Sequence, residues 1–379
     1  LTSIKKIKTQ LRITLLRFGT VDKNYIEYSR YVMSKRRNYK LIFIGTFIIL
    51  LCIYASCLRK ESFKTTKCNL FNNPVPPKKV HVWHSTNNNA TFMYKPITDS
   101  VLKILKYLHP DVYVDYKTFS PEYEDPEIYN QIQANDVLIW LGIEKIIDFK
   151  KFKEKGVYTV YYNTEPADEC DYCNSKHTGE AKYYSNEIWT YSKFLLETYT
   201  KDEPSQIIKF VPVIYQENVP RITYSSKGEK EKAPIKLVFI GNLDLRPQKK
   251  DKLLSKEILK NNLIGINHIW SDEAYNNFIL ENPHLHLNLT KGNTKTLPSV
   301  RINKLLSHGA IVISEHTNPI DEELYGDMVN FCNLDDIESV YKKLSSMTRE
   351  EIQRKSDKIH NDFYEKFNVT KICNYIQQK

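Results

Sequence analysis

Arg301, Lys304 and His308 stand three and four residues apart in the stretch LPSVRINKLLSHGAIVISE, Leu297–Glu315. On a helix that spacing puts the three basic side chains on one face and Ile302, Leu305 and Leu306 on another. Pro298 and Ser299 read as the helix entry and N-cap, and Gly309 as its left-handed stop. A helix is positive at its N-terminus, so a guanidinium in the opening turn stands where the field opposes it. Arg301 therefore calls for a compensating anion or for a neighbouring carboxylate such as Glu323. Lys304 and His308, farther along, read first as a solvated face.

Further chemistry-bearing residues close apolar runs. IKLVFIGN ends at Gly241-Asn242 with Arg246 shortly after, HLHLNL leads into Thr290-Lys291-Gly292-Asn293, and AIVIS ends at Glu315. In doubly wound sheets ligands bind beyond the carboxyl ends of the strands. Gly241, Asn242, Arg246, Lys291, Ser299, Arg301 and Glu315 are thus expected to line one pocket. A diphosphate would be the anion, held by Arg301 and the backbone N–H groups of the helix start. Glu315 suits a ribose or sugar hydroxyl.

Earlier in the chain, HVWHSTNNNATF places His84 at the end of the first apolar run, as a general base or as a structural histidine. NTEPAD carries Glu165 and Asp168 at another such end. Glu165 is the better acceptor contact or base; its other reading is a carboxylate capping a nearby helix. Cys170-Asp171-Tyr172-Cys173 fits a disulfide, free thiols or zinc. There is no second C-x-x-C, so zinc would have to recruit His84 or His177, and Asp-x-Asp is absent. No metal site is assigned.

These residues need elements to carry them. KVHVWHS, DVYVDY, DVLIWLG, VYTVYYN, EIWTYS and IIKFVPVIY are short β-rich runs separated by helical or loop segments. YKPITDSVLKILKYLH among the latter is amphipathic at helical period. QENVPRITYSSKGEKEKAP, Gln216–Pro234, is the best domain boundary. A second alternation follows through IKLVFIGN, LIGINHIW, HLHLNL, AIVISE and MVNFC, with two terminal helices beginning near Asp335 and Thr348. Strands that alternate with helices and lack a polar face imply parallel sheets covered on both sides. The expected architecture is α/β, with two Rossmann-like domains facing a cleft, over residues 79–220 and 221–379.

The chain has 379 residues and a formal net charge of +10. Its first sixty residues hold thirteen basic side chains and two acidic ones, an excess of eleven, which leaves the remainder at minus one. Nucleic-acid binding by bulk charge thereby loses its support. Leu41–Leu58, LIFIGTFIILLCIYASCL, is eighteen residues without a charge. As a helix it would span ~27 Å. KRRNYK before it and only Arg59-Lys60 after it put the N-terminus in the cytoplasm. This predicts a cytoplasmic tail (1–40), a signal anchor (41–58), a stem (59–78) and a lumenal body. The address is that of a single-pass type II membrane protein of the endoplasmic reticulum or Golgi. Cleavage after Ala55-Ser56-Cys57 is the alternative. Met33 is the expected start, with residues 1–32 an upstream reading-frame extension. The sequons at Asn89, Asn288 and Asn368 are about what chance supplies in so Asn-rich a chain.

HLNLTKG…LPSVRINKLLSHGAIVISE…DEELYGDMVNFCNLDDIESVYKKL resembles the donor-binding half of GT-B-fold glycosyltransferases. There an Arg-led helix with Gly at its end is followed by an apolar strand ending in Ser-Glu, then by a Tyr-Gly-x-x-Val-x-Phe strand. LVFIGNLDLR resembles the first strand of the same half. YYNTEPAD…YSNEIWTYSKFLLETY…FVPVIY resembles a run in the acceptor half of related transferases. Where many members carry Phe-Glu after the Arg, this chain has Asn303-Lys304, and the carboxylate often credited with donor contact is missing. The resemblance, over about Val80 to Phe367, implies transfer of a sugar from a nucleotide-sugar donor to a hydroxyl of a glycan, lipid or protein. The absence of Asp-x-Asp fits a metal-free site, with the helix N-terminus and Arg/Lys as the electrophile and no cofactor beyond the donor substrate. A non-catalytic glycan- or nucleotide-binding protein on the same scaffold is the alternative.

Overall fold

Runs such as VLIWL and YTVYYN offer a strand no polar face, so they are stable only inside a sheet covered on both sides. In the computed structural model, which describes residues 70–73, 76–85, 90–119, 126–142, 147–165, 181–224, 234–267, 269 and 271–377, that is where they lie. The first sheet has the strands β1 (Lys79–Ser85), β2 (Tyr113–Phe119), β3 (Val137–Leu141), β4 (Tyr158–Asn163), β5 (Glu187–Thr190) and β6 (Ile207–Phe210). Its order is β2-β1-β3-β4-β5-β6. The second has β7 (Leu237–Ile240), β8 (Leu263–Ile266), β9 (Leu285–Asn288), β10 (Val312–Glu315) and β11 (Val329–Cys332), in the order β11-β10-β9-β7-β8. Every pairing is parallel. Central β3 is buried along its whole length, whereas edge strand β2 keeps exposed positions.

Both sheets follow the same doubly wound plan. The first strand pairs with the second on one side and the third on the other, so the winding reverses between β1 and β3 and between β7 and β9. A crevice opens at such a reversal, because the connections leave in opposite directions. The fold thus offers two equivalent places for a site, one per sheet.

The two carboxyl edges meet. Asp321, in the short helix Pro319–Glu322 after β10, is 2% exposed. Its carboxylate accepts from the Ser192 hydroxyl at 2.7 Å and from the Lys193 and Phe194 N–H groups at 2.8 and 3.2 Å. Those groups open the helix Lys193–Asp202 that follows β5, so a charge from the second half sits at a helix N-terminus of the first. The crossing segment is tied down as well: the Val213 carbonyl accepts from Asn303 Nδ2 at 2.6 Å, and Gln216 N–H donates to Ser307 Oγ at 3.1 Å. The last helix, Val369–Gln377, returns to the first half, where Tyr375 meets Phe210 edge-on and Lys193 over its ring. At the other end Leu70 and Phe71 are enclosed, Phe71 stacking 5.8 Å from both His109 and Trp189. The end of the expected stem is therefore packed rather than free.

The expectation of a membrane helix in front of this body is corrected. Among the described residues no helix is long and apolar enough to cross a membrane, and Leu41–Leu58 lies outside those residues. The two 19-residue helices, Ala90–Leu108 and Arg349–Phe367, carry charge along one side, Lys95, Asp99, Lys103 and Lys106 in the first. That amphipathic pattern belongs to a sheet-covering helix, not to a bilayer span. The fold class is two Rossmann-like halves with no membrane helix among the described elements. The membrane partner, the type II topology and the endoplasmic reticulum or Golgi address rested on that segment and gain no support from the described residues.

Candidate functional site

The reversal point of the second sheet begins at Gly241, directly after β7. Its φ of +145° lies where side chains are rarely found, and an added Cβ would come within 3.0 Å of the Phe239 ring. Glycine here lets the chain turn sharply over that ring. Asn242 caps the following turn, its side chain accepting from Asp244 N–H at 2.8 Å. The turn folds Arg246 back: its Nη1 donates to the Asn242 carbonyl at 2.9 Å and its Nε to the Thr290 carbonyl at 3.0 Å.

Arg301 arrives from the other side of the crevice. It is the third residue of the helix Ser299–Ser307. Its Nη1 donates to Asn288 Oδ1 at 3.0 Å and to the Leu289 carbonyl at 3.2 Å. Arg246 and Arg301 both stand over the Phe239 ring, 5.0 and 5.1 Å from its centre. Among the described residues no carboxylate pairs with Arg301, so the Glu323 partnership does not form. The side chain keeps partial solvent access, but the protein around it and the charge of Arg246 push its pKa down to about 10. Burial also lowers that of Arg246, against the opposing pull of Glu315. Two guanidinium groups share one aromatic platform, and their hydrogen bonds among the described residues go to neutral oxygens.

Glu315, at the end of β10, is 8% exposed. Its Oε1 accepts from the Thr290 N–H, from the Thr290 hydroxyl at 2.7 Å and from Lys249 Nζ at 2.7 Å. Among the described residues no donor reaches Oε2. One oxygen is clamped and its neighbour takes no part in these bonds. Lys249 also donates to the Thr290 hydroxyl at 2.6 Å. It was missed in the sequence because PQKKDKLL looks like an ordinary solvated helix. The available signal was its place three residues after Arg246, across a helix start with Pro247 in the first turn. Lys291 is exposed in the loop after β9 and joins none of these bonds.

The helix of Arg301 has no solvated face. Pro298, not Ser299, is its N-cap; Ser299 is the first helical residue, buried near the Tyr325 hydroxyl. Lys304 pairs with Asp272 at 2.6 Å and lies 4.2 Å from the centre of the Tyr275 ring. His308 is enclosed, with Nδ1 2.6 Å from the Pro220 carbonyl. The helix runs beneath the crossing segment and against Arg349–Phe367, so protein covers it from Ile302 onward. Asn303 is spent on that packing, accepting from the Tyr325 hydroxyl at 2.6 Å. Gly309 does end the helix with φ +76°. Asn288, one of the three sequons, is fully buried and so cannot carry a glycan in this fold.

The reversal point of the first sheet is different. His84 is fully buried near the end of β1, with Nε2 2.8 Å from the Tyr116 hydroxyl and Nδ1 unpartnered among the described residues. Burial pushes its pKa down to about 4, so it is neutral. On the opposite face of β1, His81 lies between Asp115 (3.0 Å) and Asp136 (3.3 Å). Gly142, after β3, has φ +90°, and an added Cβ would meet the Tyr94 ring at 3.2 Å. Glu165 stands just beyond β4, held through its backbone by Asn163, whose Nδ2 donates to the Glu165 carbonyl at 2.8 Å. It is close enough to Tyr191 to help raise that phenol's pKa, after the larger effect of burial. Asp168, Cys170 and Cys173 lie outside the described residues.

Among the described residues no group of three or more His, Cys, Asp or Glu side chains is arranged to hold a metal ion. No family model matches the chain and no curated protein matches it by sequence. Solved structures do. The lipopolysaccharide outer core galactosyltransferase WaaB, apo form, aligns with TM-score 0.51 at 12% identity, covering 78% of this chain and 97% of that one. A UDP-forming trehalose-phosphate synthase from Burkholderia xenovorans aligns with TM-score 0.51 at 9% identity over 79% and 98%. Anabaena HepE in complex with UDP aligns with TM-score 0.52 at 10% identity over 79% and 98%. At such identities the likeness is one of fold, and the fold shared is the GT-B arrangement of two Rossmann-like halves.

Proposed function

We propose that the chain is a nucleotide-sugar-dependent glycosyltransferase. The second half, from about residue 221, is the donor domain, and residues 79–220 form the acceptor domain. One observation carries the reading: Arg246 and Arg301 share the Phe239 platform at a sheet reversal, bonded only to neutral oxygens. Two such cations suit one doubly charged anion, and a diphosphate has the charge and the length.

When the bond between a sugar's anomeric carbon and the diphosphate breaks, negative charge grows on the departing oxygen. Fixed cations aimed there lower the barrier without reorganising. Arg246 and Arg301 would supply that charge from the protein, while Lys249, paired with Glu315, would hold that carboxylate so that its Oε2 accepts from a hydroxyl of the ribose or sugar. The acceptor hydroxyl of a glycan, lipid or protein would approach from the first half. Glu165 is the better candidate there for contact or proton removal, since His84 is enclosed.

The test is to incubate the full chain with a panel of nucleotide sugars and follow release of nucleoside diphosphate without acceptor. Slow release with one donor, lost in R246A and R301A, is the expected result. Neither release nor any thermal shift with nucleoside diphosphates would overturn the reading. Binding without release would favour the non-catalytic alternative, to which the structural use of Asn303 lends support.

A further inference from the structure

The three residues from the end of β9 hold every cationic head of the site, and those bonds use uncharged atoms. Arg301 donates to Asn288 Oδ1 and the Leu289 carbonyl. Arg246 donates to the Thr290 carbonyl, Lys249 to that carbonyl and to the Thr290 hydroxyl. Asn288 itself is fully enclosed. Its Nδ2 donates to Ser314 Oγ at 2.9 Å, and the Ser314 hydroxyl donates on to the Glu315 carbonyl at 3.0 Å. The anion side of the crevice is thereby tied to its hydroxyl-binding side through one amide. An aspartate at this position would fill almost the same volume and accept the same bond from Arg301, but it would also neutralise it.

We propose that Asn288 is a positioning residue for the anion site, its neutral amide fixing the direction of Arg301 while leaving the guanidinium charge for a diphosphate. The inference rests on the reading of the site given above. It separates orientation from charge, and two substitutions pull these apart. N288A removes the bond that orients Arg301 and leaves its charge. N288D keeps the bond and cancels the charge; the Ser314 hydroxyl can turn to donate to the new oxygen. A side chain that served packing alone would tolerate Asp better than Ala in every assay.

The experiment compares wild type, N288D, N288A and R301A as full chains. It uses calorimetric titration with UDP, GDP, ADP and inorganic pyrophosphate, and thermal unfolding without ligand. The expected result is a crossing of the two rank orders. N288D unfolds at or above the temperature of N288A, yet binds the tightest wild-type probe roughly tenfold more weakly than N288A does, the scale of one charge-assisted bond. If N288D binds as well as N288A, or does not fold, the proposal is overturned, while weakened binding by R301A would keep the anion site intact. If wild type binds none of the probes, or R301A binds like wild type, the anion site itself is overturned and the proposal with it.

Discussion

The two halves share a strand order and differ in what they place at its reversal. In the second half the crevice between β7 and β9 receives two guanidinium groups, an ammonium and a half-used carboxylate. In the first, the described residues at the matching position between β1 and β3 are a buried neutral histidine and a tyrosine packed on a glycine. The backbone plan creates a crevice in both. Side chains decide whether charge is placed there. The lesson is that the fold assigns the location of a site twice, and only the chemistry says which location is used.

Acid should break the symmetry most strongly. His84 in the first half, and His286 and His308 in the second, are buried with pKa values pushed down to about 4, 3 and 4. Unfolded histidine titrates near 6.5, so below that pH the unfolded chain binds protons that the folded chain refuses. Stability is held above pH 6.5 and lost as the pH falls towards 4, by on the order of 10 kcal/mol for the three together. Thermal unfolding across this range measures the loss, and H286F, which removes the ring held lowest, should flatten it more than H84F or H308F does. A pH-independent midpoint would show that the rings are not held neutral.

Binding should separate the halves next. R301A is expected to weaken nucleoside diphosphate binding by about 1.5–3 kcal/mol, the worth of a charged hydrogen bond. H84Q, at the equivalent place in the first half, should leave that affinity unchanged, and titration calorimetry on both variants decides. Equal losses would mean that the diphosphate is not confined to the second half. The smallest effect sharpens the comparison at its two left-handed glycines. G142A and G241A should each cost about 1 kcal/mol of stability, but only G241A should also weaken diphosphate binding. Its new methyl group presses on Phe239, under both guanidinium groups, whereas the methyl of G142A meets Tyr94.

Much of the scaffold could be read in advance, because each strand is an apolar run too short for a helix and bounded by polar turns. The helix expected near Thr348 does begin there, and the structure closes its start with a capping box to Glu351. Arg301 stood out because it occupies the wrong end of a helix. Asn288 and Lys249 did not, since their partners lie 13 and 66 residues away in sequence. An Asn in a sequon looks like a surface residue, and a Lys among lysines looks solvated. Lys304 misled for the same reason: its partner Asp272 is 32 residues upstream, beyond the reach of any periodicity. Long-range pairing, not local pattern, decides which of several equal charges is buried.

The helix Val369–Gln377 belongs by sequence to the second half and by contact to the first. During synthesis the surface around Phe210 and the helix Ala90–Leu108 therefore waits for its cover until some 160 later residues have left the ribosome. A chain interrupted anywhere in between leaves that surface bare to its neighbours, an exposure that favours association over solitary folding.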